Sequence, residues 1–244
     1  MTDNASAWDQ YSAAYQVEAR LPTDVAHYGP DIPTESDLHL LGDVKGKRIL
    51  ELGCGGGQAS IAFARQGAIA TGVDISPTQI EFGKRLADSE GVKVEFRVGD
   101  IADLAFLRSD SVDAVFSADA FGYVEDLGRV FRQVHRVLKV GAPLVFSLPH
   151  PARQMIDEDA EQPLLVRHPY FDRSPMTRVR GGAVLTEYPH SFADLAMGLV
   201  RSSYRIEAIV EPEPSGGGMR SAQWREAFRY VPRMIIFKAR KEGN

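Results

Sequence analysis

The sequence has one cysteine in 244 residues. Cys54 therefore cannot close a disulfide within the chain or join a cysteine cluster around zinc, and this usage fits a reducing compartment. No apolar run approaches the ~20 residues needed to span a bilayer, and the N-terminal stretch carries Asp3 and Asp9 where an export signal would be apolar. An excess of positive charge is lacking too. With 28 Lys and Arg against 33 Asp and Glu, the formal net charge is −5, which gives no broad field for nucleic acid. No internal repeat or low-complexity tract is present. These absences predict a soluble, cytoplasmic chain without a membrane or nucleic-acid partner, acting on a small molecule as a monomer or homodimer.

What is present is the composition of a folded protein, 44% hydrophobic and 25% charged. Between Lys47 and Leu148, short β-rich runs alternate with helical periods, the pattern of a doubly wound α/β parallel sheet. Arg48 to Leu52 reads as the first strand, followed by a glycine cluster and a helix from Gln58 to Arg65 capped at Gly67. Ala68 to Val73 is the second strand. Ser76-Pro77-Thr78-Gln79 then opens a helix with a capping Ser, an N1 proline and Gln in the capping-box position. Val92 to Val98 alternates as an edge strand, Ser111 to Phe116 is the fourth, and Pro143 to Leu148 the fifth. Between the last two, Leu127, Val130, Phe131, Val134 and Leu138 share one face of a helix that ends before Gly141.

The chain divides on this reading into an N-terminal helical cap (1–40), a core (41–150), an insertion (151–190) and a C-terminal helix with strands (191–244), all in one domain. Trp8, Tyr11 and Tyr15 fall on one face of the cap helix. The insertion is rich in Pro, Arg and acids and has no clear period. Ser191 caps an apolar helix, and Tyr204–Val210 and Arg233–Arg240 read as strands. Pro212, Pro214 and Gly216-Gly217-Gly218 mark a mobile loop between them.

Chemistry concentrates where strands end. Glu51-x-Gly53-x-Gly55-x-Gly57 follows a strand and opens a helix, and its glycines let the backbone turn sharply and approach a ligand. Asp74 closes the second strand, placed to accept the hydroxyls of a ribose, and Asp100 closes the third. The three sites line the carboxyl edge of adjacent strands, where open α/β sheets bind nucleotides. A nicotinamide fingerprint would need a third glycine at position 58, which is Gln58.

ELGCGGG, TGVDIS, RVGDIADL and SVDAVFSADAFGYVED together resemble the successive motifs of class I S-adenosylmethionine-dependent methyltransferases, over roughly residues 40 to 150. The resemblance implies a Rossmann-like, seven-stranded, mostly parallel sheet with helices on both faces and an antiparallel last strand. It implies S-adenosylmethionine as cofactor. Gly53, Cys54 and Gly55 would run along its methionine part and ribose, and Asp74 would hold the ribose hydroxyls with Ile75 against the adenine. Asp100 and Ile101 would meet the adenine amino group and face, and Ser117 with Ala118 the methionine amino end. Tyr11 and Tyr15 resemble the aromatic residues of a cap that closes over the cofactor.

A sulfonium methyl is already activated, so the protein's task is to hold the acceptor in line with it. A hydroxyl acceptor must also lose a proton, and a His or carboxylate of near-neutral pKa is the natural base. His150, in Leu148-Pro149-His150-Pro151, is the first candidate, with Asp119 beside it; Phe121 and Tyr123 border the same pocket. His168 and His190 are weaker candidates. A divalent metal on Asp119, Glu125 and His150 is a minor alternative without a recognised ligand spacing. Cys54 reads as a packing residue. The insertion, with Arg153, Arg167, Arg173, Arg178 and Arg180, would cover the acceptor pocket, although a solvated charged surface is the simpler account of those arginines. The leading expectation is O-methylation of a small hydroxylated metabolite such as a sugar or natural product. N- or C-methylation, and a non-catalytic S-adenosylmethionine-binding module, stay open.

Overall fold

The computed structural model describes residues 4–215 and 220–243. The chain starts in helix α1 (Asn4–Ala19), followed by a single-turn helix α2 (Glu35–Leu38). The wound core is β1 (Arg48–Leu52), α3 (Gln58–Arg65), β2 (Ile69–Asp74), α4 (Pro77–Ser89), β3 (Glu95–Val98), β4 (Ala114–Ala118), α5 (Leu127–Val137) and β5 (Pro143–Pro149). A hairpin of β6 (Met176–Arg180) and β7 (Ala183–Glu187) comes next, then α6 (Phe192–Arg201), β8 (Tyr204–Val210) and β9 (Met234–Lys241).

Seven strands form one sheet in the order β3-β2-β1-β4-β5-β9-β8. The first five are parallel, β9 runs antiparallel to β5, and β8 runs antiparallel to β9. This is the expected Rossmann-like sheet. Because side chains alternate across a strand, the continuous apolar runs fill two cores, one on each face. Leu50, Val115, Leu144, Phe146 and Phe237 pack with Phe131, Val134 and Leu195 from α5 and α6 on one face. Ile49, Phe116, Val145 and Ile236 pack with Phe63 of α3 and Tyr28 on the other. Strand order reverses between β1 and β4, which opens a crevice at their carboxyl ends.

Several boundaries differ from the sequence reading. The third strand begins at Glu95 and not at Val92, and the fourth spans Ala114–Ala118 in place of Ser111–Phe116. Among the described residues of the cap expected over 1–40, helix is confined to α1 and α2. Ser76 caps α4 as expected, its Oγ accepting from the Gln79 N–H at 3.1 Å. The Gln79 side chain, however, does not close a capping box, because its Oε1 accepts from Gln16 Nε2 of α1 at 2.9 Å. Asp9 of α1 takes the Ser76 hydroxyl instead, at 2.5 Å.

The insertion contains order that its composition hid. Gly181 and Gly182, at φ of +55° and +81°, join β6 to β7 as a two-residue turn. Ala183 and Leu185 of β7 pack against Ala7 and Tyr11 of α1, so cap helix and hairpin share a small core of their own. Gly216, Gly217 and Gly218 lie outside the described residues. Among the described residues no helix is long and apolar enough to cross a membrane.

Candidate active site

At the carboxyl ends of β1, β2 and β4 lies a cavity of about 500 Å³, within the ~300–1,000 Å³ usual for small-molecule sites. Gly53, Gly55, Asp74, Asp100 and Ala118 line it from the sheet, and Trp8, Tyr15, Tyr123 and Tyr188 from the segments that cover it. The glycine turn is shaped by contact. Gly53, at φ +67°, would place a Cβ 2.2 Å from that of Ala120. At Gly55 a Cβ would meet nothing nearer than Gln79 Oε1 at 3.9 Å, so a side chain there would occupy space that the glycine leaves to a ligand.

Asp74 sits at the rim of this space with its carboxylate fixed by two backbone donors. Oδ2 accepts from the Gly55 N–H at 2.8 Å and Oδ1 from the Ser76 N–H at 2.9 Å. Each oxygen keeps a second lone pair for a ligand hydroxyl. Burial raises its pKa, and the backbone bonds oppose that shift. Asp100 is fixed similarly, with Oδ1 accepting from the Ala102 N–H at 2.8 Å. Ile75 and Ile101 add apolar surface to the same cavity.

Two smaller cavities adjoin the first. One, of about 60 Å³, is lined by Glu51, Cys54, Gly56 and His27; the other, of about 100 Å³, by Glu158, Glu187, Arg153 and Arg233. Tyr15 and Asp119 line all three spaces. Asp119 has a positive φ of 56°, and its Oδ1 is buried without a hydrogen-bond partner. Burial pushes its pKa up to about 6, against the pull of Arg153 and Arg233. A carboxylate that is unpartnered, at a junction of cavities and near neutral in pKa is suited to accept a proton.

Of the residues expected at the cofactor, Tyr15, Gly53, Gly55, Asp74, Ile75, Asp100, Ile101 and Ala118 meet in the large cavity. Cys54 lines the 60 Å³ space, and its buried thiol is pushed up in pKa by burial. Tyr11 faces the other side, lining the 100 Å³ space with its hydroxyl donating to Glu18 Oε2 at 2.6 Å. Ser117 does not reach a cavity: it is fully buried, and its Oγ donates to the Leu52 carbonyl at 2.8 Å. The expectation for His150 also needs correction. It lines none of the three cavities; its Nε2 bonds Glu211 Oε1 at 2.8 Å and its Nδ1 accepts from the Ala152 N–H at 3.0 Å. Asp119, Glu125 and His150, suggested for a metal, form no such site, since no group of three or more His, Cys, Asp or Glu is placed to hold one among the described residues. His190 contacts the Val124 carbonyl at 2.8 Å, and His168 lines a separate surface hollow.

Sequence reasoning missed Gln79, Arg129, Tyr188 and Asn4 in the large cavity. Gln79 Nε2 is buried there without a partner. Position alone offered a signal for it, since it lies in the first turn of α4, next to the glycine cluster. Glu51 is also more than a motif letter. Its Oε2 accepts from both the backbone N–H and the hydroxyl of Ser60, at 2.7 and 2.5 Å, and burial lifts its pKa to about 7.

Residues 50–146 match the methyltransferase domain family. The ubiquinone biosynthesis O-methyltransferase of Xanthomonas oryzae pv. oryzae is 35% identical over 105 residues, 43% of this chain and 44% of that protein. The chain thus spans less than half the length of that relative. The uncharacterized methyltransferase YbaJ of Bacillus subtilis is 27% identical over 177 residues, 69% of each chain. Among solved structures, an S-adenosylmethionine-dependent methyltransferase from Mesorhizobium loti superposes with a TM-score of 0.67 at 25% identity, covering 84% of this chain and 96% of its own. The chain therefore has the class I S-adenosylmethionine-dependent methyltransferase fold, with residues 50–146 similar to the methyltransferase domain family.

Proposed function

We propose that this protein binds S-adenosylmethionine in the 500 Å³ cavity and transfers its methyl group to a hydroxyl of a small acceptor presented at Asp119. The observation that carries the reading is the pair of carboxylates on one edge. Asp74 is anchored and open to a diol, and Asp119 is unpartnered where the cavities meet. Asp74 would hold the ribose, Asp100 and Ile101 the adenine, and the Gly53–Gly55 turn the methionine side. The cofactor supplies an activated methyl with a neutral leaving group. The protein's own residues then orient the acceptor, exclude water under Trp8 and Tyr15, and take the hydroxyl proton on Asp119 Oδ1. The match to an O-methyltransferase favours oxygen over nitrogen or carbon as the accepting atom.

Calorimetric titration with S-adenosylmethionine tests the first half of this reading and should give one saturable site. Incubation with methyl-labelled cofactor and a panel of small hydroxylated compounds tests the second. Binding without transfer to any member would favour a non-catalytic module; transfer to an amine analogue alone would favour nitrogen.

A further inference from the structure

The 100 Å³ space behind Asp119 has walls that do not suit a neutral metabolite. Arg153 and Arg233 both line it, with side chains only 13% and 6% exposed. Both guanidiniums lie against the ring of Phe228, at 5.5 and 5.0 Å from its centre, so one aromatic ring helps to fix the pair. Their other bonds are accounted for. Arg153 Nη2 pairs with Glu158 Oε1 at 2.5 Å, and Arg233 bonds Asp31 Oδ2 at 3.2 Å and Gln223 Oε1 at 2.7 Å. The Nε of each arginine is nevertheless buried without a hydrogen-bond partner. Leaving a buried donor unpaired costs roughly 1–3 kcal/mol, more for charged groups, and such pairs mark a place where a ligand completes the bonding.

The nearby acids do not meet this demand. Glu187 is committed to Arg178 at 2.8 Å, and Glu158 Oε2, itself without a hydrogen bond, lies 3.8 Å from Arg178 Nη1. Burial, with the neighbouring Arg153, pulls the Arg233 pKa down to about 10 against the opposing pull of Asp119, Asp31 and Glu158, whereas Glu158 and Glu187 hold that of Arg153 up. Arg180 and Arg225 line the same space, facing Glu18, Glu158, Glu187 and Asp119, so the two unpaired Nε donors and not a net charge set what the corner takes: an acceptor, best an anionic one, and not an ammonium, which only donates.

We propose that the acceptor carries a carboxylate, seated between Arg153 and Arg233, which delivers its hydroxyl to Asp119. The inference rests on the methyl-transfer reading above and narrows its acceptor to a small hydroxy acid. The size of the space supports a compact group, since a cavity of ~150 Å³ holds a benzene. It also gives a role to part of the insertion: Arg153 and Arg180 line the chamber, whereas Arg167 and Arg173 are exposed.

The test compares three matched probes, 3-hydroxybutyrate, 3-hydroxybutyramide and 4-amino-2-butanol, by ligand-observed NMR on the full chain saturated with S-adenosylhomocysteine. The carboxylate should bind at least ~10-fold tighter than the amide, a difference of about 1.4 kcal/mol, and tighter still than the amine. Arg233→Gln and Arg153→Gln should each erase that preference while S-adenosylhomocysteine affinity stays unchanged. Arg233→Lys keeps the charge and should retain part of it, which separates loss of the anion seat from a general loss of folding. Equal binding of acid and amide, preference for the amine, or no binding of any probe by the cofactor-loaded protein would overturn the proposal. Failure of S-adenosylhomocysteine itself to bind would overturn the cofactor reading instead.

Discussion

The backbone N–H of Gly55 donates to Oδ2 of Asp74 at 2.8 Å, so the turn after the first strand and the acid after the second hold each other in place. Nineteen residues separate them in sequence, and parallel pairing of β1 with β2 brings them together at one edge. Asp74→Asn keeps the shape but replaces one acceptor oxygen with a donor. Cofactor affinity should fall ~10- to 100-fold, the loss of about one hydrogen bond to a charged group, as read by calorimetry. Unchanged affinity would remove Asp74 from the site.

Gly53→Ala should be damaging twice over. The residue has φ +67°, and its new Cβ would stand 2.2 Å from the Cβ of Ala120. The backbone strain alone costs about 1–3 kcal/mol, so thermal unfolding should move down by several degrees and cofactor binding should be lost.

Asp119→Asn should cut turnover by ~10²- to 10⁴-fold, the usual contribution of a positioned base. Asparagine tolerates the left-handed conformation found here, so the variant should fold. In the wild type the carboxyl, pushed up to about 6, is protonated below that pH and cannot take a proton. The kcat/KM profile should therefore fall about tenfold per pH unit on the acid side of 6, and the residual activity of the variant should lack that limb.

Glu51→Gln separates stability from chemistry. The folded protein raises the Glu51 pKa from 4.5 to about 7, so it binds a proton that the unfolded chain releases. That contribution is fully present below pH 4.5 and is lost as pH rises through 7, a change of about 3 kcal/mol in urea titrations. The variant should show a flatter stability profile across this window.

His150→Ala should leave turnover within about threefold of wild type, since both ring nitrogens are engaged, with Glu211 and the Ala152 N–H, and the residue lines none of the three cavities. Losing two hydrogen bonds should cost about 1–3 kcal/mol of stability. A collapse of kcat with unchanged stability would return His150 to the reaction.

The wound core was readable because its signals are local and agree with one another. The helix at Gln58–Arg65 and the strand at Tyr204–Val210 fall where expected to the residue. Side-chain direction was not readable. Ser117 and Ala118 are consecutive on β4, yet pleating sends Ser117 inward to the Leu52 carbonyl and leaves Ala118 on the cavity. His150 follows a strand aimed at the crevice but lies beyond its last paired residue and lines none of the three cavities. The hairpin was missed although Gly181-Gly182 between alternating residues is a hairpin signal, because arginines and acids dominate its surroundings. The chamber's charges come from residues as distant as Asp31, Arg153 and Arg233, a grouping that only tertiary structure produces.

Helix α1 is moored to the rest of the molecule by polar and apolar contacts together. Asn4 exchanges two bonds of 2.9 Å with Thr186, Asp9 receives the Ser76 hydroxyl, and Gln16 joins Gln58 and Gln79. Water can replace such bonds almost one for one, at a net ~1 kcal/mol each, whereas lifting α1 off the hairpin would expose the core that Ala7 and Tyr11 share with Ala183 and Leu185. Any shift of α1 would therefore carry the β6–β7 hairpin along, so the roof of the large cavity and the Leu185 wall of the 100 Å³ space would move as one piece.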